Sequence, residues 1–144
     1  MKVTIQTITE KEKEEALLRI TEMTPDLQMA VSLLENGEQV LIGQRDGEKV
    51  PCPISNIYYV ESVDEKTFAY TKTDCLELKY KLYELENLLD SRFFRCSKSM
   101  ICNVRKIRSV KSGENARLNA TLLNGETLII TRSYVSGFKK RLGL

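Results

Sequence analysis

Alternating and helical spacings of apolar residues trade places along this chain, and each exchange marks an element boundary. Residues 2–8 set Val3, Ile5 and Thr7 against Thr4, Gln6 and Ile8, a period of two that predicts a strand. Thr9 with Glu12 makes a capping box ahead of residues 13–20, a local signal for a helix. Residues 16–21 would serve equally as a second strand returning against the first, and both alternatives stand. Thr24-Pro25-Asp26 is a clearer helix start, with Thr as N-cap, Pro at the first helical position and Asp in the first turn. Leu27, Ala30, Val31 and Leu34 fall on one face of that helix, which Asn36-Gly37 ends.

Beyond Gly37 short strands take over. Residues 39–44 and 48–50 flank Arg45-Asp46-Gly47, a hairpin signal, and Pro51 and Pro53 confine this stretch to a sheet edge. Residues 57–61, 68–72 and 75–80 read as strands, followed by a short helix with Leu82, Leu85, Leu88 and Leu89 on one side. Residues 93–97 and 107–110 look extended. Residues 117–123 and 126–131 are joined by Asn124-Gly125, the strongest hairpin signal in the chain. Ser133 is placed to cap a final helix carrying Tyr134, Phe138 and Leu142 on its apolar side. The sum is a mainly β (α+β) domain with a helical preface.

The 144 residues, 42% apolar and 29% charged, are one domain's worth of chain with enough apolar mass for a core. The sequence has no His, which excludes Ser-His and Cys-His nucleophiles and imidazole metal sites. Cys52, Cys75, Cys96 and Cys102 form no C-x-x-C pair, so neither a metal centre nor a redox cofactor is expected. Scattered thiols, no signal-peptide pattern and no long apolar run predict a soluble cytoplasmic protein.

Charge changes the picture. Residues 1–40 and 41–90 each carry a net −4, whereas residues 91–144 hold twelve basic and two acidic side chains, a net +10. Such a stretch asks for a polyanion, and its Arg-rich content suits phosphate and guanine. The competing explanation is that folding lays the acidic two thirds against this surface. Adjacent carboxylates such as Asp64-Glu65 and Glu84/Glu86 do not converge on a site, no phosphate-cradling Gly loop is present, and Ser97-Lys98 has no visible catalytic partner, so no enzyme is expected. Cys96 and Cys102 have basic neighbours yet sit among strand-forming residues, which predicts burial. Cations at turns are the better lead: Lys98, flanked by two serines, Arg132 at a strand-to-helix junction, and Lys66 in a third loop.

At Arg92-Phe93-Phe94-Arg95-Cys96-Ser97-Lys98-Ser99-Met100-Ile101-Cys102-Asn103 the sequence resembles the core of the LytTR DNA-binding domain, an F-x-R-x-[SH]-[KRN]-S-x-I/V-x-N segment after a short Leu-rich helix. Asn56-Ile57-Tyr58-Tyr59-Val60-Glu61-Ser62 is similar to the family's opening D-I-x-Y-[IVF]-E-[SA], and residues 82–89 to its L-x-x-L-E-x-L-L helix. Asn124-Gly125-Glu126 and Thr131-Arg132-Ser133-Tyr134 resemble its closing motifs. The likeness covers about residues 40–144, with Asn56 where Asp is commoner and Cys102 where a β-branched residue is commoner.

The resemblance implies an elongated array of small antiparallel β-sheets that reads duplex DNA through loops. It carries base contacts over to Lys98 and Arg132, and more weakly to Lys66 or Thr67. Arg95, Ser97, Ser99, Arg105, Arg117, Ser133 and Lys139 would then be phosphate contacts that set register, and Asn103 would tie down the adjacent turn. Residues 1–39 are too short for the receiver domain that family members usually place there. They are expected to form a strand-plus-helix extension that caps the β-array or pairs two subunits, as in stand-alone bacterial-type regulators that often act with a membrane protein. The expected function is sequence-specific double-stranded DNA binding in transcription regulation, as a homodimer on two half-sites. The alternatives are a single-stranded nucleic-acid or RNA binder stacking bases on Tyr58, Tyr59, Phe68 and Tyr70, and a protein-interaction module with an acidic partner.

Overall fold

The computed structural model describes residues 1–144, apart from the side chain of Asn36. Helix α1 (Pro25–Asn36) starts where the sequence places it: the Thr24 hydroxyl accepts from the Leu27 N–H at 3.3 Å. Its buried residue, however, is Met29, while Ala30 and Leu34 of the expected apolar face are exposed. The strands are β1 (Val40–Arg45), β2 (Glu48–Pro53), β3 (Tyr59–Val63), β4 (Lys66–Tyr70), β5 (Cys75–Leu78), β6 (Phe93–Ser97), β7 (Met100–Asn103), β8 (Ile107–Ser112), β9 (Leu118–Leu122) and β10 (Thr127–Ile130). Helix α2 (Leu82–Leu88) precedes β6, and α3 (Arg132–Leu142) follows β10.

All pairings are antiparallel, in a seven-stranded sheet of order β2-β1-β5-β4-β3-β7-β6 and a three-stranded sheet of order β10-β9-β8. The β1–β2 hairpin turns at Asp46-Gly47, both at positive φ, and its Pro-bearing strand β2 occupies the edge, where missing N–H donors do no harm. This hairpin joins β5 at a single residue pair, Gln44↔Glu77. Gly43 makes the approach possible, because a Cβ there would stand 2.7 Å from the Leu76 Cβ. A hairpin turn at Asp64-Glu65, both at positive φ, links β3 to β4 without a glycine, a turn the residue types did not announce.

Strand alternation divides the core in two. Val60 and Ile101 face one way, with Leu41, Leu76, Leu85 and Met29, so that α1 and α2 cover that side. Tyr59 and Cys102 face the other way, with Leu122, Ile130 and Phe138, so that the three-stranded sheet and α3 cover the second side. Asn103 is buried at the join: its amide donates to the Ile57 carbonyl at 2.9 Å and accepts from the Arg105 N–H at 3.0 Å. Tyr59 ties the two sheets together, stacking on Tyr70 at 4.5 Å and donating to the Glu126 carboxylate at 2.8 Å.

Residues 1–23 depart from expectation. Neither the strand over residues 2–8 nor a helix or strand over residues 13–21 forms; one 3-10 turn, Lys11–Lys13, interrupts an otherwise irregular and exposed segment. Alternation makes a strand only where a neighbour supplies a ladder, and no other segment of the chain lies beside this one to do so.

Gly43→Ala should lower stability by about 1–3 kcal/mol in urea denaturation, because the added methyl overpacks against Leu76. The Tyr59 phenol is held above its ordinary pKa, first by burial and then by the Glu126 carboxylate; Tyr70 is likewise pushed up to about 12, chiefly by burial. The folded state therefore keeps protons that the unfolded chain releases near pH 10, so this stabilisation is complete below about pH 10 and is lost as pH rises further. Tyr59→Phe should cost about 1–3 kcal/mol at neutral pH and make the alkaline loss of stability shallower, as measured by urea midpoints from pH 8 to 11.

Candidate nucleic-acid interface

A β-bulge sets up the site. The β6–β7 ladder shifts between Arg95 and Ser97, leaving Cys96 without a partner on β7. Its freed carbonyl accepts from the Thr131 N–H at 3.0 Å and lies 3.4 Å from the Thr131 hydroxyl. Thr131 is the residue just before α3, so this junction brings the Ser97-Lys98-Ser99 turn of the large sheet beside the first turn of α3. Between them opens a broad cleft of about 1180 Å³, lined among others by Ser97, Lys98, Ser99, Arg117, Arg132 and Ser133.

Six of the residues expected at a DNA surface thus meet in one place. Lys98, Arg117 and Arg132 are exposed, none pairs with an acidic side chain among the described residues, and no Asp or Glu lines the cleft. The first N–H groups of α3 face no intrahelical acceptor, so the positive end of its dipole adds to the three cations. Ser97 accepts from the Ser99 N–H at 3.2 Å, which shapes the turn that presents Lys98. The cleft is wide and open, suited to a polyanion's ridge more than to a small ligand.

The remaining expected residues lie elsewhere. Arg95 is engaged behind the turn, where its guanidinium donates to the Ser97 carbonyl at 2.8 Å, to the Lys98 carbonyl and to Glu86 of α2. Arg105 borders a separate hollow with Glu38, Asp90 and Arg92, in which Arg92 holds the Asp90 carboxyl below its usual range by hydrogen bonding. Lys139 is exposed on α3 outside the cleft lining. Lys66 opens β4 instead of lying in a loop, 4.0 Å from Glu77. Thr67 is a correction: it is only 2% exposed, because the alternation of β4 turns it inward beside Ala69. Ser133 is likewise not the helix cap; α3 begins at Arg132, with Thr131 in the capping position.

Residue-by-residue reading missed Asn115 and Ile129. Asn115 lines the cleft from a turn in which it and Ala116 both adopt positive φ, and Ile129 is an outward residue of β10, 47% exposed. The alternation of Thr127, Leu128, Ile129 and Ile130 carried the signal for Ile129, since one of the two isoleucines had to face out.

The competing uses of these residues find less geometry. Of the four aromatics of a stacking platform, Tyr58 and Tyr59 are buried in the core, and Phe68 and Tyr70 are partly buried. Burial pushes the Cys52 thiol up to about 11, and Cys102 is also raised, by its contact with Cys96 and by burial. Folding does pair some of the basic third with acids, at Arg92–Asp90 and Arg95–Glu86, and leaves the cleft cations out. No helix is long and apolar enough to cross a membrane.

Residues 47–143 match the family model of the LytTr DNA-binding domain. The chain is 29% identical over 102 residues to the transcriptional regulatory protein YpdB of Escherichia coli (strain K12), a match covering 69% of this chain and 42% of YpdB, so it spans less than half of that relative. It is 30% identical over 104 residues to an HTH-type transcriptional regulator of Staphylococcus aureus (strain bovine RF122), covering 72% of this chain and 71% of the other. The solved LytTr DNA-binding domain from Bacillus cereus superposes with a TM-score of 0.70 at 32% identity, covering 73% of this chain and 97% of that domain. With the expected β architecture shared as well, the chain belongs to the LytTr DNA-binding domain family.

Proposed function

We propose that this protein is a sequence-specific duplex-DNA-binding transcriptional regulator that reads bases from its turns. The observation that carries this is the acid-free cleft in which Lys98, Arg117 and Arg132 stand unpaired. Lys98 and Arg132 are the base readers, because each projects from a turn and because guanine O6 and N7 accept from Arg in a bidentate fork or from Lys. Ser97, Ser99, Ser133 and Arg117 hold phosphates on either side, and Arg105 and Lys139 extend the positive field along the duplex. Arg95 positions Lys98 by bracing its turn from behind. Lys66 reaches a further base from the same sheet end, since the β3–β4 turn and the β6–β7 turn are neighbours through the Ser62 N–H to Ser99 carbonyl bond at 2.8 Å.

Residues 40–144 are the DNA-binding unit in this proposal, and residues 1–39 are an extension that serves assembly. Two copies on adjacent half-sites, a cytoplasmic setting and control by a membrane protein belong to the same proposal.

Affinity for duplex DNA should fall steeply with salt, with a log–log slope of about −0.9 per phosphate contact. Arg117→Ala should weaken all sequences alike and make the slope shallower by about one unit. Arg132→Ala should keep stability within about 0.5 kcal/mol and cost about 1–3 kcal/mol of discrimination at one base pair, and Lys98→Ala should do the same at another. Titrations of randomised duplexes by fluorescence anisotropy check both. Unchanged sequence preference in Arg132→Ala with intact circular dichroism would remove the base-reading role.

A further inference from the structure

Residues 1–23 hold a set of apolar side chains with nothing to cover them. Ile5 is 88% exposed, Leu17 77% and Val3 74%, and Met1, Ile8, Leu18 and Met23 are uncovered as well. An extended segment of this length loses backbone entropy without recovering it unless its apolar groups are buried. Close to where this arm leaves α1 lies an apolar groove of about 390 Å³, lined by Pro25, Met29, Val40, Ile42, Pro51 and Tyr80. Lys49, Lys79 and Glu77 border it, and neither lysine forms an ion pair among the described residues.

We infer that the groove receives the arm of a second copy of this chain, so that two protomers exchange arms around a two-fold axis. Three observations select this occupant. First, donor and acceptor are both present in one chain, the condition for a closed, self-complementary dimer. Second, none of residues 1–24 lines the groove of its own chain, and Thr24 is extended, at φ −92 and ψ 161, with its hydroxyl engaged in capping α1. An arm of 23 residues reaches at most roughly 75 Å when extended, ample to cross to a partner. Third, charge matches: residues 10–15 hold four Glu against Lys11 and Lys13, a net −2, which suits Lys49 and Lys79 even with Glu77 beside them. The seated arm completes the alternation of residues 2–8, which then has a neighbour to face.

Sedimentation equilibrium on the full chain without DNA tests this. The natural sequence should sediment as a dimer at micromolar concentration. Ile5→Asp with Leu17→Asp should raise the dimer dissociation constant at least 30-fold while leaving circular dichroism and affinity for a single half-site unchanged, since both residues are exposed and far in sequence from the cleft. Lys49→Glu with Lys79→Glu should weaken the dimer about tenfold, and adding Glu14→Lys with Glu15→Lys in the same chain should restore it. A natural sequence that is monomeric throughout, an arm variant that dimerises as tightly as the natural one, or a rim reversal with no effect would each overturn the exchange. DNA affinity decides a separate question, so either idea can fail alone.

Discussion

One backbone hydrogen bond, from the Thr131 N–H to the Cys96 carbonyl, determines where the site is. It exists because the bulge in β6 takes Cys96 out of the ladder with β7, and an unpartnered carbonyl at a buried position must find a donor. The donor comes from the other sheet, at the residue that launches α3. A turn from the seven-stranded sheet and a helix start from the three-stranded sheet, 34 residues apart in sequence at Lys98 and Arg132, thereby share one cleft. Tyr59 reinforces the same junction through Glu126, which is itself held by Asn124 at 2.7 Å. The bulk of the core makes the two sheets stable, and these few polar contacts fix how they meet.

Charge is sorted by the same architecture. The acidic parts of the chain supply partners for cations that brace structure: Asp90 and Glu38 for Arg92, Glu86 for Arg95, Asp74 for Arg45. An exposed ion pair of this kind contributes little stability, so these pairs matter more for positioning than for folding energy. The three cations that line the cleft are among those left without an acidic partner. A net charge of +2 thus conceals a surface with one strongly positive concavity, and it is the local field that attracts a polyanion.

Much of the fold was legible because local chemistry dictated it. Thr24-Pro25 starts a helix, Asp46-Gly47 and Asn124-Gly125 turn hairpins, and prolines keep β2 at an edge, each by a rule that acts within a few residues. What could not be read depends on partners far away in sequence. The pattern of residues 2–8 describes a strand that finds no ladder within its own chain. The expected apolar face of α1 is partly open because the helix meets the core through Met29, which leaves Ala30 and Leu34 outside it. Thr67 is adjacent to Lys66 and shares its turn, yet the strand's pleat sends one outward and the other into the core, a distinction that needs the register with β5. At the site, Lys98 and Arg132 were visible as cations at turns, and the bulge that unites them was not, since nothing in Phe-Arg-Cys-Ser announces an extra residue.

The packing of the last helix bears on the proposal that turns do the reading. Helix α3 buries Phe138 completely and sets Arg141 over the Phe94 ring at 5.3 Å, and Gly137 lets the Phe94 ring come so near that a Cβ would stand 3.0 Å from it. One face of it is committed to the core through Phe138. The part of it that lines the cleft is its first turn, which carries Arg132 and Ser133. With Lys98 and Arg132 both mounted on segments whose backbones are tied to Cys96, the proposed reading has its spacing set by the sheet junction and its base preference set by the two side chains. Affinity, set by the surrounding cations and hydroxyls, is a third and largely separate quantity. Substitution of the readers can therefore change what is recognised without disturbing the scaffold that measures the spacing.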